Sequence, residues 1–142
     1  MSTHKHLVFT ADDDEDDRLL LRNAFDQQSP NCQLVFFTDG DELLSALTSL
    51  HPSDYPTLII LDLNMPRMSG FEVLRQIKTH PRLRLIPVVV MTTSSNEEDV
   101  ALSYQAGSNS FVTKPDSYEK LLELVRITRQ YWFETATVYS EF

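Results

Sequence analysis

The sequence predicts an α/β domain: five short apolar runs alternate with stretches of helical periodicity along 142 residues. Alternation of this kind, with short connections, implies a parallel sheet covered by helices on both faces. The run that anchors the prediction is Thr57 to Pro66, TLIILDLNMP. Leu58 to Leu61 are consecutive apolar residues between Pro56 and Pro66, too few for a buried helix and suited to a strand buried on both faces. Asp62 interrupts the run at the strand's carboxyl end, where open α/β sheets place their chemistry. An ionised carboxylate at that rim is unfavourable unless something compensates it.

From the amino terminus, Leu7 to Ala11 forms a first strand and runs into an acidic stretch, Asp12 to Asp17. Residues 16 to 28 form a helix with Leu19, Leu20, Ala24 and Phe25 expected inward. Acidic side chains in its first turn suit the helix dipole, which accounts for Asp14 to Asp17 but not for Asp12 and Asp13 at the strand end. Gln33 to Phe37 is a second strand. A Thr38-Asp39-Gly40 turn leads to a helix over Asp41 to Leu50, with Leu43, Leu44 and Leu47 inward. After the central strand, a loop over Asn64 to Gly70 precedes a helix from Phe71 to Thr79, stopped by His80 and Pro81. Ile86 to Met91 is a fourth strand, ending in the polar cluster Thr92 to Asn96, which suits a helix cap. Glu97 to Ala106 is a helix closed by Gly107. Ser110 to Thr113 is a short fifth strand before Lys114-Pro115, and Ser117 to about Thr135 is a long last helix with a tail to Phe142. No internal repeat or linker is visible, so the chain reads as one domain over 1–142, with a core of about 7–129 and an extension of about 130–142.

Composition excludes several classes. The net charge of -9 argues against non-specific nucleic-acid binding and against anionic membrane surfaces. No apolar run approaches the roughly 18 residues that span a bilayer. The opening MSTHKH lacks the apolar core of a signal peptide, so a cytoplasmic protein is expected. Cys32 is the sole cysteine, which rules out an internal disulfide and a cysteine-based zinc cage; with no activating partner in its neighbourhood, it reads as a half-buried strand residue.

Parallel strands share one carboxyl edge, so residues just past each run cluster there however distant in sequence. The first strand delivers Asp12 and Asp13, the third Asp62, the fourth Thr92 and Thr93, and the fifth Lys114. Carboxylates brought so close repel one another and raise each other's pKa unless a cation intervenes. A hard divalent ion with oxygen ligands, Mg²⁺, suits such a set. A lysine and a hydroxyl aimed at the same point bind phosphoryl oxygens. Together these parts make an aspartate a phosphoryl acceptor. Each piece alone has an ordinary structural explanation, a cap or a turn. Their order, each at its own strand end, makes the set specific.

The stretches VFTADDDEDD (Val8 to Asp17), LIILDLNMPRMSG (Leu58 to Gly70), PVVVMTTSS (Pro87 to Ser95) and AGSNSFVTKP (Ala106 to Pro115) resemble the response-regulator receiver domain of two-component signalling, from about Leu7 to Arg129. The resemblance implies a flavodoxin-like (βα)5 three-layer sandwich with strand order 2-1-3-4-5. It implies Asp62 as phosphoacceptor, Asp13 as direct Mg²⁺ ligand, Asp12 as ligand through water and the Asn64 backbone carbonyl as a further ligand. Lys114 would contact the phosphoryl group, aimed by a cis Lys114-Pro115 bond. Thr92 would move to the phosphoryl oxygen and Phe111 would turn into the space it leaves, changing the face of the fourth helix, fifth strand and fifth helix. Where this family often has Tyr, Phe111 lacks the hydroxyl. Asn64 and Ser94 would tune how fast the acyl phosphate hydrolyses. The partner would be a sensor histidine kinase, and the residues after the last helix hold no helix-turn-helix or second catalytic region, so a free-standing receiver that acts by binding, not as an enzyme, is expected.

At about 100° per residue, Leu121, Leu122, Val125 and Trp132 share the face of the last helix that should cover the sheet. Leu124, Ile127 and Tyr131 lie well around the cylinder. With Phe133, Val138, Tyr139 and Phe142 they form a second apolar surface that a partner would cover. A homodimer through this helix and tail is the expectation, and a tail folded back over its own domain the alternative. The segment RQYWFETATVY (Arg129 to Tyr139) resembles the carboxyl-terminal region of single-domain regulators partnered with bacterial phytochrome kinases. Two other readings compete. A haloacid-dehalogenase-like phosphatase also uses a strand-end aspartate, but it needs a second Asp where Asn64 stands and places its nucleophile on the first strand. An unphosphorylated receiver-shaped scaffold is the other. A nucleotide-binding ATPase is excluded, since Gly40, Gly70 and Gly107 are the only glycines and none lies in a phosphate loop.

Overall fold

The computed structural model describes residues 6–139. Five parallel strands, β1 (His6–Ala11), β2 (Cys32–Phe37), β3 (Leu58–Leu61), β4 (Val88–Thr92) and β5 (Ser110–Thr113), form one sheet in the order β2-β1-β3-β4-β5. Helices α1 (Glu15–Gln28), α2 (Gly40–Ser49), α3 (Gly70–Thr79), α4 (Glu97–Gln105) and α5 (Tyr118–Arg129) connect or follow them. The register pairs Ala11 with both Phe37 and Leu61, and Leu61 with Val90, so β2, β1 and β3 end together while β4 runs on to Thr92.

The strands are apolar because both sheet faces are covered. Alternate residues of β3 enter opposite cores: Ile59 and Leu61 join Leu43, Leu47, Val73 and Ile77 of α2 and α3. Leu58 and Ile60 join Leu21, Ala24 and Phe25 of α1 and Val125 of α5. Period-two alternation with helices on each side therefore gives an unbroken apolar run. Side-chain caps start the α-helices: Asp14, Asp39, Ser69, Asn96 and Ser117 each accept an amide hydrogen bond from the first turn.

The structure corrects several expectations. Leu19 and Leu20 are exposed, at 58% and 42%, and Leu21 takes the inward position. At 100° per residue, Leu21 falls midway between Ala24 and Phe25, whereas Leu19 lies on the far side of the cylinder. β4 starts at Val88, not Ile86. Pro87 has no N–H for the ladder, and the Ile86 amide bonds to Leu83, closing a 3₁₀ turn over Leu83–Leu85. The last helix is α-helical only to Arg129 and continues as a wider π-turn over Gln130–Thr135.

That turn directs the tail under the amino ends of the strands. Trp132 and Phe133 pack against the α1/α5 core, and the Phe133 ring stacks on His6 at 4.2 Å. With Ala136, Val138 and Tyr139 they line a cavity of about 390 Å³ against the 52–57 loop. Of the residues expected to form a partner face, Leu124 and Phe133 pack on the chain's own core. Ile127 and Tyr131 are about half exposed. Phe142 lies outside the described residues.

Candidate functional site

The carboxyl edge of the sheet gathers Asp12, Asp13, Asp62 and Lys114. The Asp62 amide donates to the Ala11 carbonyl at 3.0 Å, and the Asp12 amide to Phe37 at 3.0 Å. The ladder is thus extended by one residue on each strand, which fixes both carboxylates at the rim. Both side chains are buried, Asp12 and Asp62 at 6% exposure each, while Asp13 is exposed. Carboxylate oxygens of the three lie within 4.8 Å of one another.

Lys114 arrives from β5, its amide donating to the Thr92 carbonyl at 2.7 Å. Its Nζ contacts Asp17 Oδ2 at 2.7 Å, Asp12 Oδ2 at 2.8 Å and Asp62 Oδ2 at 3.0 Å. All described peptide bonds are trans, so the cis Lys114-Pro115 bond implied by the resemblance is corrected. Trans is the lower-energy isomer of an X–Pro bond, and the amide bond and ion pairs already aim the ammonium. Burial raises the Asp12 carboxyl above its usual value, and hydrogen bonds and charge from Lys114 offset part of the rise. For Lys114, burial opposes the charged form, but the hydrogen bonds it donates to Asp12 and Asp17 and the charges of Asp12 and Asp62 outweigh it, holding the ammonium protonated well above its usual range.

The loops complete the site. Asp62 Oδ1 accepts the Asn64 amide at 3.2 Å. The Asn64 side-chain nitrogen lies 3.4 Å from Oγ1 of fully buried Thr92, tying the β3 loop to the end of β4. Gly70 is required here, because a Cβ would stand 2.3 Å from the Asp62 carbonyl oxygen and 2.6 Å from Leu63 Cα. Ser94 turns away, its hydroxyl 2.6 Å from Asp99 of α4. Phe111 does not enter the cluster. It packs beside the α2/α3 core, three residues before Lys114, and its amide donates to the Tyr104 hydroxyl at 3.2 Å.

Sequence reasoning misses Asp17. The helix dipole is a sufficient reason for its presence, and it does lie in the first turn, its amide bonded to Asp14 Oδ1 at 3.1 Å. The signal that could have found it is the spacing Asp17, Leu21, Ala24, which puts this carboxylate on α1's inward stripe at the end nearest the strand tips.

The hard oxygen donors fit a divalent cation, which needs only a few carboxylates and otherwise water. Among the described residues, no helix is long and apolar enough to cross a membrane.

The response regulator receiver domain family matches residues 8–126. Response regulator Rcp1 of Synechocystis is 36% identical over 93% of this chain and 92% of that protein. The phosphorylated cyanobacterial phytochrome response regulator RcpA superposes with a TM-score of 0.88 at 35% identity, covering 96% of this chain and 99% of that one. The Mn²⁺-bound form of Rcp1 superposes with a TM-score of 0.85 at 34% identity, covering 95% and 99%. The strand order, the acidic rim with its lysine and these likenesses agree: the chain belongs to the response regulator receiver domain family.

Proposed function

We propose that this chain is a cytoplasmic response-regulator receiver that accepts a phosphoryl group on Asp62 from the phosphohistidine of a sensor kinase. The observation that carries the reading is the convergence of Lys114 with Asp12 and Asp62 beside Asp13 at one strand edge. Asp62 Oδ attacks phosphorus in line, the P–N bond breaks as the P–O bond forms, and the electron pair stays on the donor imidazole. Asp13, Asp62 and the Asn64 backbone carbonyl, with Asp12 through water, would hold Mg²⁺, which would neutralise charge on the transferring oxygens. Lys114 contacts a phosphoryl oxygen, and its fixed ammonium needs no reorganisation as charge develops. Thr92 donates its hydroxyl to another oxygen, and Phe111 follows into the space released, reshaping the α4-β5-α5 face.

The chain acts by binding, not as an enzyme, and its kinase is of the phytochrome class; the similarity to the phytochrome response regulator RcpA supports the kinase class. Half-exposed Ile127 on α5 and Tyr131 in the π-turn that follows it form the centre of a homodimer contact. The test is intact mass after incubation with acetyl phosphate, with and without Mg²⁺. Wild type gains one phosphoryl group only with Mg²⁺, and Asp62→Asn gains none. Equal uptake by Asp62→Asn contradicts the assignment.

A further inference from the structure

Lys114 offers three N–H donors, and three carboxylates take them: Asp17 at 2.7 Å, Asp12 at 2.8 Å and Asp62 at 3.0 Å. Asp12 and Asp62 belong to the oxygen cluster that suits a cation; Asp17 does not. The helix dipole accounts for an acidic first turn in general, and Glu15 and Asp16 share that turn. Asp17 alone of the three reaches across to the strand ends, because it continues the inward stripe of Leu21 and Ala24.

We propose that Asp17 is a positioning residue that holds Lys114 and competes with the phosphoryl group for it, setting how firmly the activated state is retained. The inference rests on the phosphoacceptor reading of Asp62. A cation among Asp12, Asp13 and Asp62 draws on two of the carboxylates that now accept from Lys114. Asp17 then remains as the ammonium's undivided partner. A phosphoryl oxygen on Asp62 must pull Lys114 out of that pair. Asp17 is 36% exposed in its side chain, so water screens the pair and its effect is moderate.

The experiment measures BeF₃⁻ affinity at saturating Mg²⁺, and Mg²⁺ affinity separately, for wild type, Asp17→Asn and Asp17→Glu. Asp17→Asn is expected to bind BeF₃⁻ about threefold to tenfold more tightly, with Mg²⁺ affinity changed by no more than about twofold. Asp17→Glu, which keeps the charge, returns toward wild type. The ¹⁵N resonance of the Lys114 ammonium should shift in Asp17→Asn, a readout that a cap role would not move. Unchanged or weaker BeF₃⁻ binding in Asp17→Asn overturns the proposal, and so does a tenfold loss of Mg²⁺ affinity, which would make Asp17 a ligand. A wild type that binds Mg²⁺ but no BeF₃⁻ contradicts the phosphoacceptor reading instead. The hold on Lys114 is then decided by the ammonium resonance, an unshifted signal overturning it.

Discussion

Asp12 shows how a functional residue opposes stability. Its carboxyl is buried and its pKa raised by that burial, so ionisation at neutral pH is less favourable folded than unfolded. The folded state therefore binds the proton more tightly. Stability from this group is greatest at low pH and falls as pH rises through the window above 3.8. Asp12→Asn is expected to stabilise the metal-free protein at pH 7 while weakening divalent-ion binding. Denaturation at pH 7 and at pH 4 checks this, the difference from wild type narrowing at the lower pH. Thr10 is a second case. Its hydroxyl is buried on β1 with no hydrogen-bond partner among the described residues, so the nearly isosteric Thr10→Val removes a buried polar group. Urea unfolding should show a gain of about 1 kcal/mol. At the site, Asp12, Asp13, Asp62 and Lys114 were legible in the sequence because each follows an apolar run. Asp17 was not, since first-turn acids on helices have a sufficient local explanation.

At the scale of elements, the helices differ in how much of their placement the sequence shows. α3 was readable, with Val73, Leu74 and Ile77 buried as its periodicity demands. α1 misled because three leucines run together, and only the phase set by Ala24 and Phe25 decides among them. Leu21→Ala should cost about 2–4 kcal/mol, whereas Leu19→Ala should stay within about 0.5 kcal/mol; urea midpoints of the two variants distinguish the phases. The end of α5 was beyond reach, because a π-turn over Gln130–Thr135 rotates the side chains beyond Arg129 out of the α-helical phase, and Phe133 lands against His6 rather than on a second apolar face. Phe133→Ala is accordingly expected to lower the melting temperature, while a surface substitution such as Ile127→Ser leaves it unchanged and shifts sedimentation toward monomer.

For the whole molecule, the sheet separates two ends. The carboxyl edge carries Asp62 and its neighbours, and the amino edge carries the tail-lined cavity. Five alternating runs imply a parallel sheet covered on both faces, whereas the strand order follows from the resemblance to the receiver family and not from spacing. The path of the tail depends on packing between distant segments, the 52–57 loop and the residues after α5, which no local pattern records. Since the tail-lined cavity and the acidic rim share no residue, trimming the tail aromatics should leave Mg²⁺ affinity intact. The central claim is that Asp62, among the clustered carboxylates, takes the phosphoryl group. Borohydride reduction of protein treated with acetyl phosphate and Mg²⁺ converts an aspartyl phosphate to homoserine, which peptide mass then locates. The account predicts homoserine at position 62 alone. Homoserine at 12, 13 or 17 with Asp62 intact would contradict it.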